Sequence, residues 1–333
     1  MRTEKIALPF LFFLIISIFS SIILVTAQSS LSLTVATNKT TTYDKYDPIT
    51  ISGTLQYGSL SPSNALVGIE VDFPQSGGPM VLRTVQTGSG TVSGMAEQIT
   101  AAYPTSGLGG SQTSTVQNGE MAYFAASVTD LDNQAYSGIQ LAITIFDGNG
   151  VPLGIGLSTM SLGKGASQTA YVSIPIPTTA HSGTAYGYAD LYSNLPENGG
   201  TPMAQEQPFR FTISGGTPSS GPAPSTSSAN SGAYSLTFKV PKYCPDGAYQ
   251  VYASASYQGQ DATAHTFFYV LLIGDFDLAG SVTGDDLFIF AGAYINYWTG
   301  QSYNTLCDIN GDGKVDSTDF FLFVSAYIQW WSP

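Results

Sequence analysis

Basic residues are scarce in this 333-residue chain, and their scarcity excludes one class of function. Lysine and arginine total 10 against 23 aspartates and glutamates, which gives a net charge of −13. Nucleic-acid binding needs clustered basic side chains, so we expect no nucleic-acid partner. The two histidines, His181 and His265, stand in no recognisable nucleophile or metal pattern, and the glutamates are few and scattered. We therefore predict that the protein is not an enzyme.

Cysteine is nearly absent, because only Cys244 and Cys307 occur in the chain. They could pair in an oxidising compartment, but two cysteines make no disulfide framework. The alternative is two buried free thiols, and the sequence leaves both possibilities open.

Only one long hydrophobic run is present, from Ile6 to about Val25. It follows a short charged start and ends at Ala27, which suits a signal peptide over residues 1–27 with cleavage before Gln28. The alternative is an uncleaved membrane anchor, because the run is long for a signal peptide. Either interpretation places the remaining chain outside the cell or on its surface.

Helical periodicity is missing between this leader and residue 270. Short alternating runs replace it, such as Val67, Ile69, Val71 and Phe73, and turn residues separate them. This pattern predicts a mainly β fold built from sandwiches. The 20 tyrosines could form a carbohydrate-stacking face, although tyrosine is also an ordinary strand residue.

A turn pattern occurs twice and suggests an unusual domain order. Pro177 precedes Gly183, and Pro241 precedes Gly247, each followed by a tyrosine. This resembles the entry to one strand of an immunoglobulin-like sandwich. Residues 215–232, rich in Gly, Ser and Pro, indicate a flexible linker. We predict an immunoglobulin-like sandwich from residues 31–88 plus 231–273, with a second one, residues 105–214, inserted in it. The alternative is a series of sequential domains.

The C-terminal segment contains an internal repeat with an offset of 33 residues. Residues 275–298 match residues 308–331 at ten of 24 positions. Each copy is an acidic segment of twelve residues followed by an apolar helical segment. We name residues 275–286 the first loop and residues 308–319 the second loop.

The second loop has the spacing of a calcium-binding loop. Oxygen ligands are expected at positions 1, 3, 5, 7, 9 and 12, with glycine at 6 for the sharp turn, and Gly313 stands there. The predicted ligands are Asp308, Asn310, Asp312, Lys314 through its backbone carbonyl, Asp316 and Asp319. Four carboxylates this close repel one another, and a cation would offset that repulsion.

The first loop follows the same pattern with one carboxylate fewer. Ala279 stands at position 5, so we expect weaker Ca²⁺ binding here than in the second loop. The predicted ligands are Asp275, Asp277, Ser281, Thr283 and Asp286.

Two such loops, each with Asp at position 12 and followed by one helix, resemble a type I dockerin over residues 274–333. The resemblance implies a small all-α module that folds on Ca²⁺ and binds a cohesin on a scaffold protein. It also implies partner contacts at positions 10 and 11, here Ser317 and Thr318 in the second loop. The first loop has Gly284 and Asp285 there, a pair that the family does not use. The helices also lack the family's usual basic contact residues.

Two functions therefore remain open from the sequence. In the first, the chain is a secreted or cell-surface binding subunit, in polysaccharide-related assemblies, attached through its calcium module to a cohesin-like or other surface partner. In the second, it is a structural cell-surface protein whose apolar helices pack on its own sandwich as a calcium-stabilised cap. A membrane is expected as a partner only through an uncleaved leader.

Overall fold

The computed structural model describes residues 30–39, 42–219, 221–227, 231–242, 244–277, 279–310 and 312–331. The predicted signal peptide, residues 1–27, lies outside these ranges. Within them the chain is mainly β, with seventeen strands in four sheets followed by two α-helices. No helix in the described ranges has the length and apolar character needed to cross a bilayer.

The first two sheets combine strands from both ends of the β region. Sheet I contains β1 (Leu31–Leu33), β2 (Ala36–Thr37), β3 (Pro48–Tyr57), β14 (Ser225–Ser227) and β15 (Ala233–Lys239). Sheet II contains β4 (Leu66–Asp72), β5 (Pro79–Gln86), β16 (Gly247–Tyr257) and β17 (Gln260–Val270). Ile51 of sheet I and Ile69 of sheet II belong to one buried core, so the two sheets form what we call the outer sandwich.

The intervening segment forms two further sheets. Sheet III contains β6 (Glu97–Thr105), β8 (Met121–Asp130) and β11 (Ser167–Pro175). Sheet IV contains β7 (Thr115–Gln117), β9 (Tyr136–Phe146), β10 (Pro152–Leu162), β12 (Gly183–Tyr192) and β13 (Gln207–Ser214). Phe124 of sheet III and Ile143 of sheet IV belong to one buried core, and we call these two sheets the central sandwich. Its first strand begins at Glu97, before the predicted boundary at residue 105, because β6 pairs with β8 along its whole length.

Two described parts of the segment predicted as a flexible linker, residues 215–232, contact the sandwiches. Ser182 donates its backbone N–H to Thr217 and accepts one from Ser219. Further along, β14 pairs with β15 at the edge of sheet I. Gly, Ser and Pro predict turns but give no sign of pairing with a distant edge strand, so the sequence did not indicate these contacts. The flexible linker stays a prediction.

The two sandwiches meet along the free edge of β5. The backbone N–H of Leu82 donates to Thr144 Oγ1 at 3.2 Å, and that of Thr84 donates to Asp190 Oδ1 at 2.9 Å. Side chains of the central sandwich thus satisfy the edge strand of the outer one, which would otherwise present unpaired backbone groups.

The C-terminal repeat forms two helices of equal length, α1 (Gly284–Trp298) and α2 (Ser317–Trp331), with a 3₁₀ turn at Thr305–Cys307 between them. Their buried core includes Phe276, Phe290 and Phe323. Cys307 belongs to this core and Cys244 to the core of the outer sandwich, and both thiols are free and buried.

Candidate metal centres

The last aspartate of each loop organises the loop backbone. Asp286 and Asp319 are fully buried. Asp286 Oδ1 accepts the N–H groups of Phe276 and Asp277 at 2.7 and 3.3 Å, and Oδ2 accepts that of Thr283 at 2.8 Å. The corresponding three bonds to Asp319 measure 2.8, 3.2 and 2.9 Å, from residues shifted by the repeat offset. The duplication seen in the sequence is therefore also a duplication of hydrogen bonds.

The first aspartate of each loop is bound in the same way in both copies. Asp275 accepts the N–H groups of Ala279 and Gly280 at 2.9 and 2.7 Å. Asp308 accepts the two equivalent N–H groups, from residues 312 and 313, at 3.1 and 2.9 Å. The glycines at position 6 have φ near +84°, a left-handed conformation that other residues rarely adopt.

Each helix begins before its loop has ended. Both begin at loop position 10, so Asp286 and Asp319 lie in the first turn rather than at the helix start. Thr283 is the N-cap of α1, and its hydroxyl accepts the N–H of Asp285 at 3.2 Å. Asp286 completes a capping box with it, and a carboxylate in the first turn also complements the helix dipole.

The remaining predicted ligands lie at the loop surface. Asp277, Asn310, Asp312 and Lys314 are exposed, while Ser281 and Asp316 are half-buried. Asn310 Oδ1 accepts the N–H of Asp312 at 2.9 Å, and Asp312 Oδ1 accepts that of Lys314 at 2.9 Å. These oxygens therefore hold the turn, while their residues are accessible to solvent.

The donor set of the loops suits a hard cation. Asp275, Asp277 and Asp286 each offer a carboxylate oxygen, and these oxygens lie within 4.8 Å of one another. Burial is the main cause that raises the pKa of Asp275. Oxygen-only ligand sets of this kind fit Ca²⁺.

The helix surfaces are unusually apolar where they face solvent. On α1, Phe288, Ile295 and Trp298 are 76%, 60% and 61% exposed. The equivalent residues of α2 are equally exposed, namely Phe321, Ile328 and Trp331. We call these two sets the paired stripes. Ser317 and Thr318 are exposed at the start of α2, beside the second stripe.

A second group of acids was missed by the sequence analysis. Glu70 and Asp72 of β4 and Glu197 of the 3₁₀ turn at Pro196–Asn198 each place a carboxylate oxygen within 4.8 Å of the others. We call this group the inter-sandwich acids. The only signal in the sequence is the pair of acids two residues apart in an otherwise apolar strand.

The histidines occupy different settings. His265 lies on β17, with Nε2 2.7 Å from Gln250 Oε1. His181 Nδ1 lies 2.7 Å from Asp147 Oδ2, beside an apolar cleft that Cys244 also lines. Burial raises the pKa of the Cys244 thiol, which makes it a poor nucleophile. The absence of catalysis stays a prediction.

No protein-family model matches the sequence, and no curated protein matches it. Some solved structures are weakly similar. The C-terminal domain of wzt is 13% identical over 37% of this chain and 75% of its own, with a TM-score of 0.30. The CARDB domain of the PF1109 protein from Pyrococcus furiosus, in complex with di-metal ions, is 13% identical over 36% of this chain and 87% of its own, with a TM-score of 0.24. Bacteroides uniformis β-glucuronidase is 9% identical over 50% of this chain and 26% of its own, with a TM-score of 0.27. All three scores are below 0.5, so they support no functional statement.

Proposed function

We propose that this chain is a non-catalytic, extracellular or cell-surface binding protein whose C-terminal region folds on Ca²⁺ and attaches it to a partner. In this proposal residues 274–333 form a dockerin-like all-α module, and its partner is a cohesin-like or other surface protein. The central sandwich is an immunoglobulin-like domain inserted in an immunoglobulin-like outer sandwich. The module then attaches both sandwiches to this partner in polysaccharide-related assemblies.

One observation carries this proposal. The same five backbone N–H groups donate to the first and last aspartates of both loops, although the two loops share few other residues. Such a repeated scaffold leaves the remaining oxygens of each loop available to a cation. The second loop has more of them, which supports two Ca²⁺ sites of which the first is weaker.

The paired stripes support attachment to a partner. Soluble proteins rarely leave large contiguous apolar patches exposed unless these are binding sites. The stripes consist of equivalent residues on both helices, so a partner would meet the same chemistry from either one. Large aromatic residues such as Trp298 and Trp331 are also the side chains that dominate interface energies.

The alternative, a module that stabilises its own sandwich, is favoured by a different observation. The backbone N–H groups of Leu272 and Ile273 donate to Asp246 and Asp44 of the outer sandwich, both at 3.2 Å. Lys242 Nζ donates to the Trp330 carbonyl at 3.4 Å and lies 5.4 Å from the Trp330 ring centroid. The module is thus joined directly to the sandwich rather than through a linker.

Calcium-dependent capture tests the proposal. The full chain is immobilised and exposed to purified type I cohesin domains, with Ca²⁺ or with chelator. We expect capture in Ca²⁺ only, lost in the Asp275→Ala/Asp308→Ala double variant. Phe288→Ser/Phe321→Ser should reduce capture at least ~10-fold, since each ring is a large exposed apolar contact.

Leu108→Ser is the matched control, because Leu108 is 66% exposed but lies on the central sandwich. It should capture as well as the unaltered chain. If no cohesin is captured and Ca²⁺ only raises the melting temperature, the stabilising-cap function replaces the docking function.

A further inference from the structure

The inter-sandwich acids join segments that are far apart in sequence. Glu70 and Asp72 point to the same side of β4, since side chains two residues apart share one face of a strand. Glu197 comes from the central sandwich, and its backbone N–H donates to Glu70 Oε2 at 2.8 Å across 127 residues of sequence. The group therefore lies on the contact between the two sandwiches.

Two of these carboxylates are buried without a full set of partners. Glu70 is 0% exposed and Asp72 is 6% exposed. Glu70 Oε1 and Asp72 Oδ1 have no hydrogen-bond donor in the described part of the chain. On β16, Ser254 Oγ is also buried without a partner among the described residues, two residues along from Tyr252, which lies opposite Glu70. Buried acceptors without partners are costly, so this arrangement calls for a ligand that supplies positive charge.

No basic side chain supplies that charge. None of the ion pairs formed by the described residues includes Glu70, Asp72 or Glu197. Arg83 of β5 lies opposite Ile69 of β4, so its side chain is on the other face of the sheet from Glu70 and Asp72. Glu206 binds its guanidinium. The inter-sandwich acids thus face one another with no fixed cation.

The raised pKa values of Glu70 and Asp72 show how unfavourable their ionised forms are when no cation is bound. Burial is the main cause that raises the pKa of Glu70 to about 8, with a lesser contribution from the charge of Asp72. Burial and the charge of Glu197 raise the pKa of Asp72 to about 6. A neighbouring divalent cation reverses this effect, because it favours the ionised form of each ligand.

We propose that Glu70, Asp72 and Glu197 bind one divalent cation of the oxygen-preferring class, and that this cation fastens the 3₁₀ turn of the central sandwich to β4. Three carboxylates supply up to six oxygens, within the range that Ca²⁺ accepts. Glu197 is exposed, so the site opens to solvent on its side and water can complete the coordination.

The competing arrangement is a proton shared between Glu70 and Asp72, which would satisfy the same two oxygens without a metal. The two differ in their response to Glu70→Gln. The amide oxygen of glutamine still accepts the Glu197 N–H, while the negative charge needed by a cation is removed. The variant thus keeps the hydrogen bond between the sandwiches and tests the charge alone.

Calcium titration of the chelator-treated full chain provides the test. Glu70→Gln should bind one calcium ion fewer per chain than the unaltered protein. Glu197→Gln, which changes an exposed residue, should weaken the same site at least ~10-fold. Calcium should also slow amide exchange at residues 197–199 in the unaltered chain but not in Glu70→Gln.

The matched control is Glu97→Gln. Glu97 is also buried with unpartnered oxygens, but it belongs to no group of three converging acids in the described ranges. It should bind as many ions as the unaltered chain. Equal ion counts in the unaltered chain and in Glu70→Gln, with no calcium effect on exchange at 197–199, would overturn the proposal in favour of the shared proton. Loss of loop binding alone would leave the Glu70-dependent ion in place, so the two proposals fail separately.

Discussion

Among the described residues, two groups of three acids have converging carboxylate oxygens, and they are satisfied in opposite ways. In the first loop, Asp275 and Asp286 accept five backbone N–H bonds between them, so their own segment satisfies the charges. In the inter-sandwich acids, Glu70 accepts a single backbone N–H and both Glu70 and Asp72 keep an unpartnered oxygen. Equal crowding of acids therefore does not imply an equal need for a cation.

The difference separates two roles of a buried carboxylate. Asp286 and Asp319 act first as structural acceptors, and a cation would add to a loop that they already shape. Glu70 and Asp72 instead each keep one buried oxygen that no described residue satisfies, and we call them open acids. We expect removal of a structural acceptor to disrupt local structure, and removal of an open acid to leave structure intact.

The largest expected effect follows from Asp319→Ala. It leaves three backbone N–H groups without an acceptor, each at a cost of ~1–3 kcal/mol when buried. We expect amide exchange across 308–331 to accelerate at least ~100-fold in Ca²⁺ and in chelator alike. Asp285→Ala, which changes an exposed acid of α1, is the control. Unchanged exchange in Asp319→Ala would remove the distinction between structural and open acids.

Sequence spacing predicted the loops because their contacts are local. All hydrogen bonds to Asp286 and Asp319 come from residues at most ten positions away, so a pattern in one short segment contains the whole scaffold. Glu70 and Glu197 are 127 positions apart. No local pattern marks such a pair, since only the packing of two sandwiches brings them together. Calcium binding and the dockerin likeness stay predictions.

The fold was predictable to a similar extent. Alternation of Val67, Ile69 and Val71 predicted β4, because these three side chains lie on the strand face that lines the core of the outer sandwich. The opposite face of β4 is buried as well, which this alternation did not predict. The Tyr249 hydroxyl donates to the Pro245 carbonyl at 2.8 Å at the entry to β16, where the second copy of the turn pattern lies. In contrast, β14 lies in a Ser-rich segment and is formed only because an edge strand lies beside it. The division into an outer and an inserted domain stays our interpretation of the strand pairing.

A fixed basic partner is a third way to satisfy an acid in this fold, and the half-buried Glu206 is an example. Glu206 Oε1 accepts from Arg83 Nη2 at 2.8 Å, and the Arg83 guanidinium lies 3.2 Å from the Tyr188 ring centroid. Arg83 is 1% exposed, so Glu206→Ala leaves a buried charge unpaired. We expect a loss of about 3 kcal/mol in urea unfolding.

Glu120→Ala is the control for this variant, since Glu120 is an exposed acid of the central sandwich. Arg83→Met/Glu206→Ala should recover much of the lost stability, because the buried guanidinium charge is then removed together with its partner. Equal unfolding of Glu206→Ala and Glu120→Ala would show that the pair contributes nothing.

The two loops of the repeat differ at position 5, where the first has Ala279 and the second has Asp312. Ala279→Asp gives the first loop the position-5 carboxylate of the second loop, and Asp312→Ala removes it there. We expect each change to alter Ca²⁺ affinity of its own loop by about tenfold, or about 1.4 kcal/mol, in opposite directions. Calorimetry of the full chain should show two unequal loop sites that become similar in either variant. Unequal affinities that persist in both variants would assign the difference to another position.

The smallest expected effect concerns Glu97, a buried acid with unpartnered oxygens that belongs to neither group of three acids among the described residues. Burial, followed by the charges of Asp130 and Asp132, raises the pKa of Glu97 from 4.5 to about 7. A raised pKa means that the folded chain binds this proton more tightly, so its contribution to stability is full below pH 4.5 and is lost as the pH rises through about 7. The adjacent residues 131–135 are exposed, and solvent screening should limit the effect to about 1 kcal/mol.

Urea unfolding between pH 4.5 and 8 in chelator should therefore show a fall in stability for the unaltered chain that is smaller in Glu97→Gln. If the two chains lose stability in parallel, the Glu97 carboxyl is not protonated in the fold, and its two unpartnered oxygens require a ligand, as we propose for Oε1 of Glu70.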